Sequence, residues 1–293
     1  MTELQAVHPG TLYVVATPIG NLDDLGARAQ QVLAGVDFIL AEDTRHSLRL
    51  LNRYGIRRPL RALHEHNERR AAGGVVRRLQ GGDSAALVAD AGTPLISDPG
   101  DILVRAAQEA GVPVAAVPGP CAVSAALSVA GLAAHRFCFE GFLPPRRATR
   151  LARMQALRRE PRTMVFFEAP HRLRGFLQDA ASCFGEQRPA AAVKEISKLH
   201  ERARLAPLGK LRDETQAAEE TQGRRVKGEF VVVVAGETAP SPPGRDEAER
   251  VLRLLLERLP RREAVSLAAA LTGWGRNPLY RLCLSWKTGR DGQ

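Results

Sequence analysis

A chain of 293 residues, 44% of them hydrophobic, can bury a large core and has room for two domains and a short appendage. Its net charge of +10 and pI near 10.2 point toward a polyanionic partner. No apolar run reaches the roughly 20 residues that span a bilayer, MTELQAVHPG carries no basic-then-apolar leader, and four scattered cysteines form no CxxC pair; a cytoplasmic protein with free thiols, no membrane span and no metal centre is expected.

The first half alternates short apolar runs with helical patterns. TLYVVA leads to LGARAQQVLAGV, DFILAE to SLRLLNRYG, SAALVA to DILVRAAQEAG, and VPVAAVP to AVSAALSVAGL. That alternation predicts parallel strands joined by crossover helices. Three strands run into loops rich in Pro and Gly: TPIGNLDD (17 to 24), DAGTPLISDPG (90 to 100) and PGPCA (118 to 122). In an open parallel sheet ligands bind at the carboxyl ends of the strands, so these loops either converge on one site or are ordinary βα connections built from the same turn residues.

After Pro144-Pro145, seven arginines stand against one acid, Glu160, which reads as a linker entering a basic helix. A second α/β region follows, through TMVFFEAPHRL, FLQDAASCFG, AAVKEISKLHER and, past a charged stretch, VKGEFVVVVAG. ETAPSPPGRDE (237 to 247) reads as a flexible joint. Beyond it EAERVLRLLLERL, REAVSLAAALTG and NPLYRLCLSW have the spacing of a small helix-turn-helix bundle. The expected divisions are 11–121, 122–236 and 237–293.

The loop DAGTPLISDPG is neither a P-loop nor a dinucleotide fingerprint: no Gly-Lys-Ser/Thr closes it, and Gly92 and Gly100 are wrongly spaced. From Leu79 to His135 the one cation is Arg105, against Asp83, Asp90, Asp98, Asp101 and Glu109. Phosphate sites usually recruit Lys or Arg, so this stretch suits a neutral or cationic cofactor such as S-adenosylmethionine; a helix N-terminus holding phosphate without cations is the alternative.

The segments LYVVATPIGNLDDL, AEDTRHSLRLL, LHEHNE, LVADAGTPLISDPG, VPGPCA, RFCFEGFLP, FFEAPHRL, KEISKLHE and KGEFVVVVAG resemble, in order, the motifs of the small-subunit ribosomal RNA methyltransferases of the tetrapyrrole methylase superfamily. The resemblance covers roughly residues 11 to 285. It departs at Lys194 and Ile196, where that family often has Arg and Leu, and in the tail after Ser285. It implies two α/β domains of the tetrapyrrole methylase type with a helical tail, S-adenosylmethionine in the cleft, a homodimer, and 2′-O-methylation of a cytidine in the decoding region of 16S rRNA, on RNA or the small ribosomal subunit.

Carried over by motif, Gly92, Thr93, Pro94, Ile96 and Ser97 form one wall of the cofactor site and Pro120, Cys121 and Ala122 another. For the base that assists methyl transfer, Glu42, Asp43, His64, His66 and Glu168 are candidates, with His66 favoured because an imidazole titrates near neutrality. EDTR at 42 to 45 equally suits a helix cap. The arginines of 146 to 162, Arg146, Arg147, Arg150 and Arg153 among them, with Arg172, Arg174 and the tail helices, are the expected RNA contacts, against a merely solvated arginine face. A precorrin-type carbon methylase and a non-catalytic RNA-binding assembly factor are the rival functions.

Overall fold

The structure is a computed structural model and describes residues 7–223, 226–237 and 245–286. Residues 238–244, most of the joint expected at 237 to 247, lie outside the described residues, as do the first six and the last seven. Two compact units divide at Gly236: residues 1–236, and residues 237–293.

In the first unit β1 (Leu12–Val15), β2 (Phe38–Ala41), β3 (Leu60–Ala62), β4 (Ala85–Val88) and β5 (Val114–Val117) form a fully parallel sheet in the order β3-β2-β4-β1-β5. Both faces are covered, as parallel sheets require. Tyr13, Val15, Ile39 and Ala41 face α1 (Ala27–Gly35) and α2 (Thr44–Arg53), which contribute Val32, Leu33 and Leu51. Leu12, Phe38, Leu40 and Leu87 face α3 (Glu68–Gln80) and α4 (Asp101–Glu109), which contribute Val75, Val76, Leu79 and Leu103.

A second sheet holds β6 (Phe137–Phe142), β7 (Thr163–Glu168), β8 (Pro189–Lys194), β9 (Arg202–Pro207) and β10 (Phe230–Val234) in the order β6-β7-β10-β8-β9. Only β6 and β7 are parallel; the other pairs are antiparallel. One face packs on α6 (Arg147–Ala156), α7 (Leu173–Phe184) and α8 (Leu208–Gln222) through Met154, Phe176 and Leu211. The other, with Val165, Val193, Val231 and Val233, packs on α5 (Ala122–Val129). Because α5 begins where the PGPCA loop of the first sheet ends, that loop is carried directly against the second sheet.

Sequence patterning misplaced several elements. Phe137–Phe142 is a strand that the patterning does not single out, and the charged stretch before β10 holds the 15-residue α8. Strands β3 and β9 and helix α3 were not anticipated.

The second unit is a bundle of α9 (Arg245–Leu256), α10 (Arg261–Thr272) and α11 (Arg276–Ser285), packed through Ala248, Leu252, Val265, Ala268, Leu279 and Cys283. The left-handed Gly273 ends α10, and Arg253 lies 4.2 Å over the Trp286 ring. Among the described residues no helix is long and apolar enough to cross a membrane.

Candidate active site

The three Pro/Gly-rich loops converge. Thr17 N–H donates to the Gly92 carbonyl at 2.8 Å and Gly92 N–H to the Thr17 carbonyl at 3.0 Å, so the first loop is bridged to the second. Thr93 Oγ1 donates to the Pro120 carbonyl at 3.0 Å, binding the second loop to the third. Gly92 has φ 84°, and a Cβ there would meet Ile19 Cγ2 at 3.2 Å. Leu95 and Ser97 are also left-handed, with φ of 73° and 72°, conformations that non-glycine residues adopt at a cost and that recur at functional sites. The second sheet closes on this loop at its β6 edge: Gly141, φ 61°, sits so near that a Cβ would meet Ser97 Oγ at 3.0 Å.

Between the loops and the second sheet lies a cavity of about 400 Å³. Gly92, Thr93, Ile96, Ser97, Cys121 and Ala122 line it from one side, and Phe142, Phe167, Glu168, Pro170 and Phe230 from the other. Six of the eight expected cofactor residues therefore meet at one cavity. Pro94 is buried outside its lining, and Pro120 lines an adjoining open recess. Its size falls within the roughly 300–1,000 Å³ of small-ligand sites, and its wall is largely apolar with a few polar groups. Among the described residues no Lys or Arg lines it, whereas Asp98, Glu168 and Glu229 do. An adenosyl ligand with a sulfonium centre fits this wall: apolar surface for a purine, a glycine approach at 92, and negative rather than positive charge around the cation.

Glu168, at the end of β7, is buried. Its Oε1 accepts from Ala169 N–H at 2.9 Å and lies 3.1 Å from Arg172 Nε, which does not aim its N–H along that contact; Oε2 is buried without a hydrogen-bond partner among the described residues. Burial pushes its carboxyl up, with the Ala169 N–H and Arg172 opposing.

The other proposed bases stand outside the cavity lining. Asp43 caps α2, accepting from Arg45 N–H at 2.8 Å and pairing with the Arg45 guanidinium, which holds its carboxyl at about 2. This is the cap that EDTR also allowed, and a carboxylate so committed is a poor proton acceptor. Glu42 is raised by burial and by Asp90. His64 is half-buried with Nδ1 unpartnered among the described residues, and its ring lies 6.0 Å from that of the exposed His66.

The expected RNA-binding arginines separate into two groups. Arg150 is buried, both Nε (3.0 Å) and Nη2 (2.7 Å) on Asp179 Oδ2, while Arg147 Nε reaches Oδ1 at 3.0 Å. Arg172 bonds the Leu143 carbonyl at 2.6 Å, and Arg174 lies 3.8 Å from Glu219. Arg150 and Arg172 thus hold the second sheet and its helices together. Arg153 pairs with Glu140 at 2.7 Å but stays half-exposed; Arg146 and Arg147 remain exposed.

Sequence reasoning missed Asp98, Phe142, Phe167, Glu229 and Phe230. Asp98 had a signal: it follows Ser97 in the nearly cation-free stretch. The others come from separate strands that only the fold assembles.

A parallel sheet and a mixed sheet enclosing such a cleft is the architecture of class III methyltransferases. A uroporphyrin-III-C-methyltransferase from Thermus thermophilus shares the fold with a TM-score of 0.53 at 21% identity, covering 77% of this chain and 94% of the other, and a diphthine synthase with 0.55 at 13%, covering 77% and 89%. The family model described as Tetrapyrrole (Corrin/Porphyrin) Methylases matches residues 11–212, and the one described as RsmI C-terminal HTH domain matches 242–287. Ribosomal RNA small subunit methyltransferase I of Pseudomonas aeruginosa is 53% identical over 94% of this chain and 97% of its own, and that of Escherichia coli O157:H7 is 46% identical over 94% and 95%. The chain belongs to the tetrapyrrole methylases and, within them, to the ribosomal RNA small subunit methyltransferase I family.

Proposed function

We propose that this protein transfers the methyl group of S-adenosylmethionine to a ribose 2′-hydroxyl of small-subunit ribosomal RNA, at a cytidine of the decoding region. The observation that carries it is the cavity where the three loops of the first sheet meet the second, lined by no Lys or Arg among the described residues. Bound there, S-adenosylmethionine supplies an electrophilic methyl group on a sulfonium.

The chain's own contribution is positioning, since in-line displacement depends on holding the reacting atoms aligned and most of its rate comes from that alignment. Gly92, Thr93, Ile96, Ser97, Cys121 and Ala122 are assigned to cofactor binding on one wall, and Phe142, Phe167 and Phe230 to exclusion of water on the other. Pro94 and Pro120 act behind them by fixing loop shape. Glu168 is assigned to accept hydrogen bonds through its free Oε2.

RNA affinity is assigned to the exposed Arg146 and Arg147 with Arg158 and Arg159, and to the helical unit 237–293, in keeping with the large share of RNA affinity that phosphate contacts supply. Residues 11–121 and 122–236 act as the two halves of the methylase. The working form is a homodimer in the cytoplasm.

Small ribosomal subunits from cells lacking the protein, incubated with it and methyl-labelled S-adenosylmethionine, are expected to take label into their RNA. Label passing instead to a precorrin-type tetrapyrrole, with none in RNA, would reject the proposal.

A further inference from the structure

Of the three carboxylates lining the cavity, two are engaged by cations: Glu168 by Arg172 at 3.1 Å and Glu229 by Lys198 at 3.0 Å. Asp98 is the exception. No group among the described residues donates a hydrogen bond to its side chain or forms an ion pair with it. It follows the left-handed Ser97, in the loop that the Thr93–Pro120 contact ties in place. The charges that face it are negative: Glu42 from the end of β2 and Asp90 from the end of β4. His64, beyond β3, lowers the Glu42 carboxyl against burial and Asp90, while Glu168 and Glu229 stand on the opposite wall. Burial first, then Glu42 and Asp90, push the Asp98 carboxyl up to about 7.

A ribose hydroxyl is a weak acid, and transfer to it is assisted by a group that accepts its proton as the new bond forms. Resting on the methyl-transfer reading above, we infer that Asp98 is the general base of the reaction. The hydroxyl oxygen bonds to the methyl carbon as the carbon–sulfur bond breaks. Sulfur keeps the bonding pair and departs as a neutral thioether, and the hydroxyl proton passes to an Asp98 carboxylate oxygen, from which it returns to solvent after product release. Such a base works best when its affinity for a proton matches the working pH. Asp98 is chosen over Glu168, where the Ala169 N–H and Arg172 oppose the upward push of burial, and over the exposed His66, outside the cavity lining.

The test is single-turnover methyl transfer to unmethylated small subunits at saturating S-adenosylmethionine, across the pH range, for the wild type and Asp98→Asn. The wild-type rate should rise with pH through a single inflection and then level off. Asp98→Asn should bind subunits as the wild type does and cofactor at most several-fold more weakly, transfer methyl roughly 10²–10⁴-fold more slowly at saturating cofactor, and lose the inflection. Asp98→Ala should be equally slow and partly restored by added formate. Wild-type rate or an unchanged inflection in Asp98→Asn overturns the inference, as does loss of cofactor binding in step with rate. A wild type that binds the cofactor but labels no RNA overturns the methyl-transfer reading itself, and the base with it.

Discussion

Replacing Gly92 by alanine tests whether the loop bridge shapes the cofactor wall. At φ 84° an added Cβ forces a left-handed conformation costing about 1–2 kcal/mol. The same atom would meet Ile19 Cγ2 at 3.2 Å, and Ile19 lines the cavity, so the side chain must give by a few tenths of an ångström into the space meant for ligand. Gly74 in α3 receives the same chemical change with opposite consequences: nothing lies within 4 Å of its Cβ, and alanine in a helix interior gains about 0.5–1 kcal/mol. At roughly 2–4 °C per kcal/mol, Gly92→Ala should lower the melting temperature by about 2–8 °C and Gly74→Ala raise it by about 1–4 °C. Calorimetry follows stability, and titration of S-adenosylmethionine follows affinity, which should weaken by up to about tenfold if the strain is relieved on the ligand side. Gly74→Ala should leave affinity alone. A Gly92→Ala protein with wild-type melting and wild-type affinity would refute the reasoning.

Asp179→Ala strands the buried Arg150 and should cost about 3–5 kcal/mol, read as a lower denaturant midpoint, whereas Arg150→Met with Asp179→Leu should recover most of it. For Asp98 the folded carboxyl titrates above its unfolded counterpart, so folding binds a proton between the usual carboxylate range and about 7, and stability is lost as pH rises through that window. Asp98→Asn should therefore melt higher than the wild type at pH 8 by more than it does at pH 5; a pH-independent gap would contradict the burial and like-charge account. Replacing Arg146, Arg158 and Arg159 by Ala should flatten the salt dependence of subunit binding by up to about one unit of slope per lost phosphate contact, and an unchanged slope would take RNA contact away from these arginines.

Much of the first sheet was legible because its strands are short apolar runs between helices with clear stripes. Helix α3 escaped notice because Gly73 and Gly74 interrupt its pattern; Val75, Val76 and Leu79 packed on the sheet override that local penalty. Strands β3 and β9 lie at sheet edges with exposed, arginine-bearing sequences. The run FVVVV in β10 suggests a buried strand but not its direction: both of its faces are covered, and it pairs antiparallel on both sides. At the site, the converging loops carried their own punctuation in Pro and Gly. The opposite wall did not, because Phe142, Phe167 and Phe230 belong to three strands whose adjacency is a tertiary fact. Arg150 shows the limit of charge reading, since a basic stretch in sequence says nothing of which guanidinium a buried Asp179 will claim.

The central claim is tested most directly by nucleoside analysis of rRNA from unmethylated small subunits after incubation with the protein and isotopically labelled S-adenosylmethionine. Label recovered in 2′-O-methylcytidine at a single position is the predicted result. Label on a base, or none in RNA although the cofactor binds, would contradict it.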